Sequence, residues 1–492
     1  MLLDIRRIDA GELIAPSSSA GRSDPSYPVV SAAMPPATRS VDAVVVGAGT
    51  AGANTAYQLA RRGMSVVLVE RRAAAAAGAQ WHNGVLDWQF ERAGLDPPVA
   101  PERDPSRGVT HLFGPDGSHG VTVGDSPVVR ADMGLLGLRL RRSAERAGVQ
   151  VIDCIERLEV TVRSGRLVAV DVAGPTGPTG PMRLEAPLFV DASGRRGALR
   201  RHSPALTPWC PIVRGDELCT ATDHRVRIDD ADGAMRFLTR HGALPGDGVT
   251  VVGLAGGFST RAITVSEDLS EAAVLTGCLS NGRYSTGPRM LADARRAEPW
   301  LGASISGGSG SIPLRRPYAR FTAPGLALVG DAACQVFPAH GSGIGMGLMA
   351  GTALAESVAG ADDPGDEATL WRYQSAFQHE HGGVLAAFDA FRRMSTALGG
   401  DGVAGMVRAG LLTEAMTVGG LDQRWQVPDP MAVPGMAARL ARVPGVAAQM
   451  LPTLARGQVL LRTGRSHPDQ PDEAALARWD RRVERLLGRL PR

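Results

Sequence analysis

Three short apolar runs punctuate the chain, each with glycine close behind: Ala43-Val44-Val45-Val46, Phe189-Val190 and Leu326-Ala327-Leu328-Val329. Such runs, too short for helices and without polar alternation, predict strands covered on both faces, as in a parallel sheet. After the first run the period changes. Thr50–Gly63 predicts a helix and Ser65–Glu70 a second strand, together one strand–helix–strand unit of about 30 residues. Arg130–Gly148 predicts a helix, with leucines at 135, 136, 138 and 140. Leu158–Asp191 alternates in three strand-like pieces, the last two parted by the proline- and glycine-rich turn 174–181. Several strands and one helix, Thr286–Glu298, are expected over 205–314. A glycine-rich helix start follows at Gly341–Val358. Beyond Glu367 the pattern is mostly helical, with amphipathic stretches at Leu370–Ala387 and Ala474–Leu487. Order is expected from Val41 onward. Residues 1–38, rich in Pro, Ser and Ala and without periodicity, predict a disordered leader that lacks the sustained apolar core of a signal peptide.

A chain of 492 residues is longer than one hydrophobic core supports, so two or more domains are expected. Hydrophobic residues at 44% and charged residues at 21% describe an ordinary globular protein. A net charge of +3 gives no argument for a nucleic-acid partner. No apolar run approaches the roughly 18 residues of a membrane span, so no integral membrane segment is expected. The five cysteines are odd in number and show no CxxC spacing, which argues against a disulfide framework or a zinc site. All 53 basic residues are arginine. That excludes chemistry that needs a lysine: a Schiff base, pyridoxal phosphate, or a P-loop nucleotidase.

Gly47-Ala48-Gly49-Thr50-Ala51-Gly52 sits between the first strand and helix, and Glu70 ends the next strand. Gly47 allows the tight turn, Gly49 lets the backbone approach a pyrophosphate, and Gly52 lets helix and strand pack closely. The helix N-terminus offers free N–H groups and a partial positive charge to the phosphates. Glu70 is placed to accept hydrogen bonds from ribose hydroxyls. NAD and FAD share this fingerprint, so other segments must decide between them. One is Phe189-Val190-Asp191-Ala192-Ser193-Gly194, followed by Arg195, Arg196 and Arg200. The other is Leu328-Val329-Gly330-Asp331-Ala332-Ala333, which runs through Pro338 to Gly341-Ser342-Gly343-Ile344-Gly345-Met346-Gly347. In both, a strand delivers an acid and a glycine. An acid there can bind a sugar-alcohol hydroxyl, and a glycine-rich helix start can face an electron-rich ring edge. The three segments in this order point to FAD.

On these stretches the chain resembles the FAD-dependent superfamily of para-hydroxybenzoate hydroxylase-type monooxygenases, geranylgeranyl reductases, lycopene cyclases and flavin-dependent halogenases. Ile312–Pro317 and Gly325–Ala333 are most similar to the geranylgeranyl reductase branch. The resemblance implies an α/β fold: a Rossmann-like FAD-binding domain, a mixed-sheet α+β substrate domain and a mostly helical C-terminal region. On this sequence the FAD-binding domain is expected at 39–79, 126–204 and 315–360, the substrate domain at 80–125 and 205–314, and the helical region at 361–492. The resemblance further implies that Gly47, Gly49, Thr50, Ala51, Gly52, Glu70 and Arg71 hold the adenosine diphosphate half of FAD. Arg130 would approach the ribose–pyrophosphate region and Asp331 the ribitol. Gly343, Ile344, Gly345 and Met346 would face the isoalloxazine, with Pro338 and Gly341 beside them.

Some branches fit poorly. Halogenases of this kind rely on a lysine between flavin and substrate, and on a Trp-x-Trp-x-Ile-Pro signature whose spacing Trp81 and Trp88 do not match. No second GxGxxG with strand–helix context appears, so NAD(P)H or another reductant is expected to visit transiently. His82, in Trp81-His82-Asn83-Gly84, and His340 are the catalytic candidates, each weighed against a plain loop role. Trp209, Phe237, Phe258, Tyr284 and Trp300 are expected in the core more often than lining a pocket. Cys334 is expected to be a packed residue, not a covalent flavin anchor. The expected activity is that of an FAD-dependent oxidoreductase on a largely apolar or aromatic small molecule, a lipid or a secondary-metabolism intermediate. It would act by carbon–carbon double-bond reduction or by oxygen-dependent hydroxylation or epoxidation. A reduced-flavin non-redox cyclase and a flavin-binding protein without catalysis stay open, as do the oligomeric state and a surface contact with a membrane. A cytoplasmic location is expected.

Overall fold

Glycine-terminated apolar runs do become the centre of a parallel sheet. A computed structural model describes residues 37–105, 107–174, 181–426, 431 and 433–488. Its six-stranded sheet has the order Thr322–Ala323, Leu326–Leu328, Leu188–Asp191, Ala43–Val46, Val66–Val69 and Gln150–Ile152. The last five strands run parallel. Every residue of Ala43–Val46, Val66–Val69 and Leu188–Asp191 is buried, as expected for strands covered by helices on both faces. Helices Thr50–Ala60 and Ile344–Val358 cross at close range on this sheet. A Cβ at Gly351 would fall 2.4 Å from Thr55 Oγ1, and one at Gly347 2.9 Å from Ala51 Cβ.

Beside this sheet lies a four-stranded one, Ala37–Ser40, Met182–Glu185, Arg166–Ala173 and Arg157–Arg163. Ala37–Ser40 starts ahead of Val41 and takes in two residues of the expected leader; residues 1–36 lie outside the described part. The region Leu158–Asp191 holds four strands where three were expected. Ser164 and Gly165 both have positive φ and close a tight hairpin that splits the first piece. Residues 175–180 of the proline–glycine turn lie outside the described residues. Arg130 is on a strand, Val128–Asp132, paired with His82–Leu86. The helix expected from Arg130 begins instead at Met133, because Asp132 caps it by accepting from the Leu135 N–H.

The third sheet has seven strands in the order Leu301–Pro313, Leu218–Ile228, Glu271–Leu279, Ser259–Val265, Gly248–Val252, Thr110–Phe113 and His119–Val123. Strand alternation gives it two distinct faces. Val226, Val251, Ile263 and Val274 pack with Phe237, Leu291 and Trp300 from the helices Ala231–Arg240 and Gly287–Ala297 and the turn after them. The alternate residues face a cavity. The C-terminal part is helical, from Glu367–Phe377 through Glu473–Leu487. The expected single stretch Leu370–Ala387 is two helices, Glu367–Phe377 and Gly383–Arg408, joined by the wider turn Gln378–Gly382. Gly399, at φ 66° and ψ −173°, breaks the second of them. Among the described residues no helix is long and apolar enough to cross a membrane.

Candidate active site

The Ala43–Val46 strand leads into a loop in which the glycines do different work. Gly47 has φ +107°, and a Cβ there would meet the Ala192 carbonyl oxygen at 2.4 Å. A Cβ at Gly52 would lie 1.8 Å from the Gly47 oxygen. Both glycines are required by the protein's own packing. Gly49 is not: a Cβ there would meet nothing nearer than Gly78 Cα at 3.6 Å. The space in front of it belongs to a cavity of about 1300 Å³ that Gly47, Gly49, Thr50, Ala51, Glu70 and Arg71 all line. Glu70, at the end of Val66–Val69, accepts from the Ala48 N–H at 2.8 Å and the Arg72 N–H at 2.9 Å, so its carboxylate is fixed at the loop.

Behind the loop stands Arg141, which the sequence reading missed. Its Nη1 lies 3.4 Å from the Ala48 oxygen and 3.5 Å from the Ala77 oxygen. Burial pulls its pKa down, against the opposing pull of Glu70. The signal was available. Arg141 follows Gly137 by one helical turn on the face that buries Leu136 and Leu140, and an arginine in that phase is not a solvated one.

The second and third segments separate in role. Asp191 is fully buried and organises its own turn. It accepts from the N–H groups of Ser193, Leu199 and Arg200 and from Ser193 Oγ at 2.6 Å. Asp331 instead lines the cavity. Among the described residues nothing donates a hydrogen bond to its carboxylate, and burial pushes its pKa up to about 6 against the pull of Arg195. Gly341, Gly343 and Ile344 also line the cavity. Pro338, Gly345 and Met346 sit behind it: a Cβ at Gly345 would strike Gln89 Oε1 at 1.8 Å, and Met346 is part of the core.

From this groove the cavity runs on across the seven-stranded sheet. Trp81 lines it, with its ring laid on Gly308, where a Cβ would come within 2.3 Å of the indole. Asp223 and Arg130 line it as a bidentate ion pair, with both contacts at 3.1 Å. Arg130 also lies 3.6 Å from Asp104. Its charge is therefore already met by two carboxylates. His82 does not line the cavity. It is buried, with Nε2 3.2 Å from Asp104. His340 does line it, its ring tilted 45° to that of Phe337 with the centroids 4.7 Å apart. The accessible part of its ring is cavity wall, and burial pushes its pKa down to about 4. Of the five aromatics, Phe258 lines the cavity while Phe237 and Trp300 are core. Trp209 packs on the C-terminal helices, and Tyr284 is partly exposed. Cys334 is buried, follows the Asp331 turn in a left-handed conformation and lies off the cavity wall. The far wall comes from the C-terminal region: Phe391, Val403, Met406, Leu412 and Leu421.

These residues fit FAD. The glycine loop leaves room for a pyrophosphate at Gly49, the Asp331 carboxylate lacks a protein partner, and the groove between them opens onto a further chamber. A family model described as FAD dependent oxidoreductase matches residues 42–90. The chain is an FAD-dependent oxidoreductase, and its cofactor is FAD. Within that class its likeness is to geranylgeranyl reductases. It is 27% identical over 375 residues to digeranylgeranylglycerophospholipid reductase 2 of Methanothermobacter thermautotrophicus, covering 75% of this chain and 91% of that protein. It is 22% identical to digeranylgeranylglycerophospholipid reductase of Sulfolobus acidocaldarius over 74% of this chain and 79% of that one. In fold it is similar to a geranylgeranyl bacteriochlorophyll reductase-like protein from Thermoplasma acidophilum. The TM-score is 0.66 at 16% identity, over 85% of this chain and all of that one. A flavin-dependent brominase shares the fold at TM-score 0.56 and 14% identity, over 84% of this chain and all of the other.

Proposed function

We propose that this protein reduces carbon–carbon double bonds in an elongated, largely apolar lipid chain. The observation that carries the reading is the continuity of the cavity, which leaves the FAD groove and extends over the sheet beneath the C-terminal helices. Such a shape suits a long chain drawn past a fixed redox centre. The names of the relatives, reductases of a geranylgeranyl lipid, support it. The seven-stranded sheet and the C-terminal helices then serve as the substrate-binding part, and the six-stranded sheet as the FAD-binding part.

FAD, once reduced, supplies the hydride equivalent for such a reaction. The protein's share is holding and shielding. Gly47–Gly52 and the N-terminus of the Thr50–Ala60 helix take the pyrophosphate, Glu70 the adenosine ribose and Asp331 the ribityl chain. The backbone at Gly341–Ile344 faces the ring. Phe258, Phe391 and Met406 exclude water from the chain's path. Arg71, Arg72 and Arg157 line the cavity beside Glu70. They offer counter-charge to the phosphates there.

The test is anaerobic. Holoprotein is reduced chemically in the absence of oxygen and given a digeranylgeranylglycerophospholipid. The flavin spectrum and the lipid mass are followed. The expected result is return of the oxidised flavin spectrum with a gain of two hydrogens per double bond. Product carrying oxygen only when air is admitted would replace this reading with hydroxylation. Rearranged product of unchanged mass, with the flavin still reduced, would replace it with cyclisation.

A further inference from the structure

The register of the seven-stranded sheet arranges its cavity-facing residues in rows across the strands. In one row Ala221 pairs with Gly310 on one side and Gly277 on the other, Gly277 pairs with Thr260, and Thr260 with Val252. All five line the cavity. Beside Ala221 and Gly277 the neighbouring rows are bulkier. Toward the FAD loop stand Ile312, Cys219 and Leu279, with Ile312 close enough to Gly341 that a Cβ there would lie 3.6 Å from its Cδ1. On the other side stand Leu275 and Asp223, the latter under Arg130, with Trp81 lying over Gly308 and over Gly310 at the end of the first row. At Ala221 and Gly277 the row between them is a trough spanning two strands; beyond it Thr260 and Val252 stand no lower than Ala262 and Thr250 beside them.

Gly277 is the position in the trough that nothing in the protein explains. It lies inside the strand Glu271–Leu279 and does not have a positive φ. A Cβ there would meet Cys219 Sγ at 3.4 Å, Ala221 Cβ at 3.5 Å and the Thr220 oxygen at 3.7 Å, all ordinary contacts within the sheet. The contrast with Gly257 is sharp. There a Cβ would lie 1.6 Å from the Ser395 oxygen, and glycine is compulsory. Glycine inside a strand weakens it, and often marks a place where a ligand comes close.

We propose that Gly277 is a specificity-determining residue, keeping the trough deep enough for one methyl-branched hydrocarbon chain to lie on the sheet under the C-terminal helices. This rests on the reading that the cavity over the sheet receives the substrate. A methyl at position 277 raises the floor slightly; an isobutyl group closes it.

The FAD-loaded wild type, Gly277→Ala and Gly277→Leu are titrated with geranylgeraniol, and perturbation of the visible flavin spectrum reports binding. FAD per chain and the melting midpoint are measured alongside. Gly277→Leu is expected to keep its FAD and melting midpoint and to bind at least about tenfold more weakly, the scale on which small steric changes discriminate in apolar pockets. Gly277→Ala is expected to melt at the same or a higher temperature and still bind about threefold more weakly, a split that a purely structural role does not produce. Wild-type affinity in a folded Gly277→Leu overturns the proposal. If that variant fails to fold, wild-type affinity in Gly277→Ala does so. Either outcome leaves the lipid-reductase reading standing. Absence of geranylgeraniol binding by the wild type removes that reading and the trough with it.

Discussion

The FAD groove and the chamber over the sheet are parts of one cavity built in opposite ways. The groove is made of backbone. Its determinants are a few glycines and acids near strand ends, gathered in short local motifs, because a pyrophosphate is bound by N–H groups in a turn. The chamber is made of side chains contributed by strands from Thr110 to Pro313 and by helices beyond Gly383, brought together only by sheet register and helix packing. A ligand held by backbone leaves a linear motif. A ligand held by side chains from many elements leaves none.

The most forceful way to break this contrast is at two glycines three residues apart. Gly52→Val would drive a branched side chain into the Gly47 oxygen and Ala192 Cβ, pushing the helix off its strand. A loss of about 4 kcal/mol or more is expected, in the range reserved for severe packing faults, and is read as a collapse of the melting midpoint. Gly49→Val meets almost no protein atoms. It should fold, melt close to the wild-type apoprotein, and bind no FAD. Stoichiometric FAD in purified Gly49→Val would mean that the phosphates lie elsewhere.

Next in size is the pin that holds the helical wall of the chamber. Asp389 is fully buried in the helix Gly383–Arg408. It accepts from Arg392 at 2.9 Å, from Arg393 at 3.1 Å and from the Arg316 N–H at 3.1 Å. Arg316 in turn pairs with Asp480 and Glu484 of the last helix. Burial alone would raise the Asp389 pKa, but Arg393 and Arg392 outweigh it and hold the carboxyl far below the usual carboxylate range. A depressed pKa contributes stability that is present above the unfolded value, near 4, and is lost as pH falls below it toward the folded value. Asp389→Ala leaves buried guanidinium groups without their carboxylate and should cost about 3–5 kcal/mol. Thermal denaturation of both proteins at neutral and acid pH checks this. The wild type should lose more stability on acidification than the variant.

The same division explains what could be read in advance. Ala43–Val46, Val66–Val69 and Leu326–Leu328 were legible because burial on both faces leaves an unbroken apolar run. Ala37–Ser40 was not, since its four residues are all exposed and carry no such run. Gly49, Glu70 and Asp331 could be singled out in sequence because each sits close to a strand end with a turn beside it. Pro338, Gly345 and Met346 were expected at the ring and lie behind the cavity wall; helical phase turns Gly345 toward Gln89 and Met346 into the core. The far wall was not read at all. Phe391, Met406 and Leu412 look like any core residues of a helical region. The break that redirects them, at Leu398-Gly399-Gly400, was visible as a glycine pair and became meaningful only once Gly257 and Gly253 were seen packed against it.

Asp331 sharpens the comparison from the groove side. A partnerless carboxylate with its pKa raised to about 6 is stabilising only while protonated. The apoprotein's share of stability from this group is therefore complete below the unfolded value near 4 and lost as pH rises through about 6. Asp331→Asn should abolish that dependence and leave the apoprotein more stable than wild type at neutral pH. With Asp331 holding the ribityl chain as proposed, Asp331→Ala removes a charge-assisted hydrogen bond and should weaken FAD binding by about 1.5–3 kcal/mol. Equilibrium dialysis of FAD and pH-dependent melting of apoprotein report the two effects separately. An Ala variant that binds FAD as wild type does would move the ribityl contact to another residue.

The smallest effect is expected at His82. It and His340 were both catalytic candidates in sequence, with the plain loop role weighing more against His82, and the fold separates them. His82 turns away from the cavity into Asp104, whose carboxyl is held down to about 2: burial works against that, and His82 and Arg225 more than offset it. A role behind the wall is structural, and glutamine can keep one hydrogen bond to Asp104. His82→Gln should therefore cost no more than about 1 kcal/mol of stability, the value of an ordinary hydrogen bond, and leave turnover and FAD content unchanged. His340 stays neutral from pH 5 upward, because burial has moved its titration down to about 4. The His340 ring should then impose no pH step on turnover between pH 5 and 8. A tenfold fall in turnover for His82→Gln with FAD fully retained would show that the Asp104 cluster, through Arg130 and Asp223 on the cavity wall, takes part in the chemistry. The line between a cofactor site made of backbone and an inert side-chain wall would then have to be redrawn.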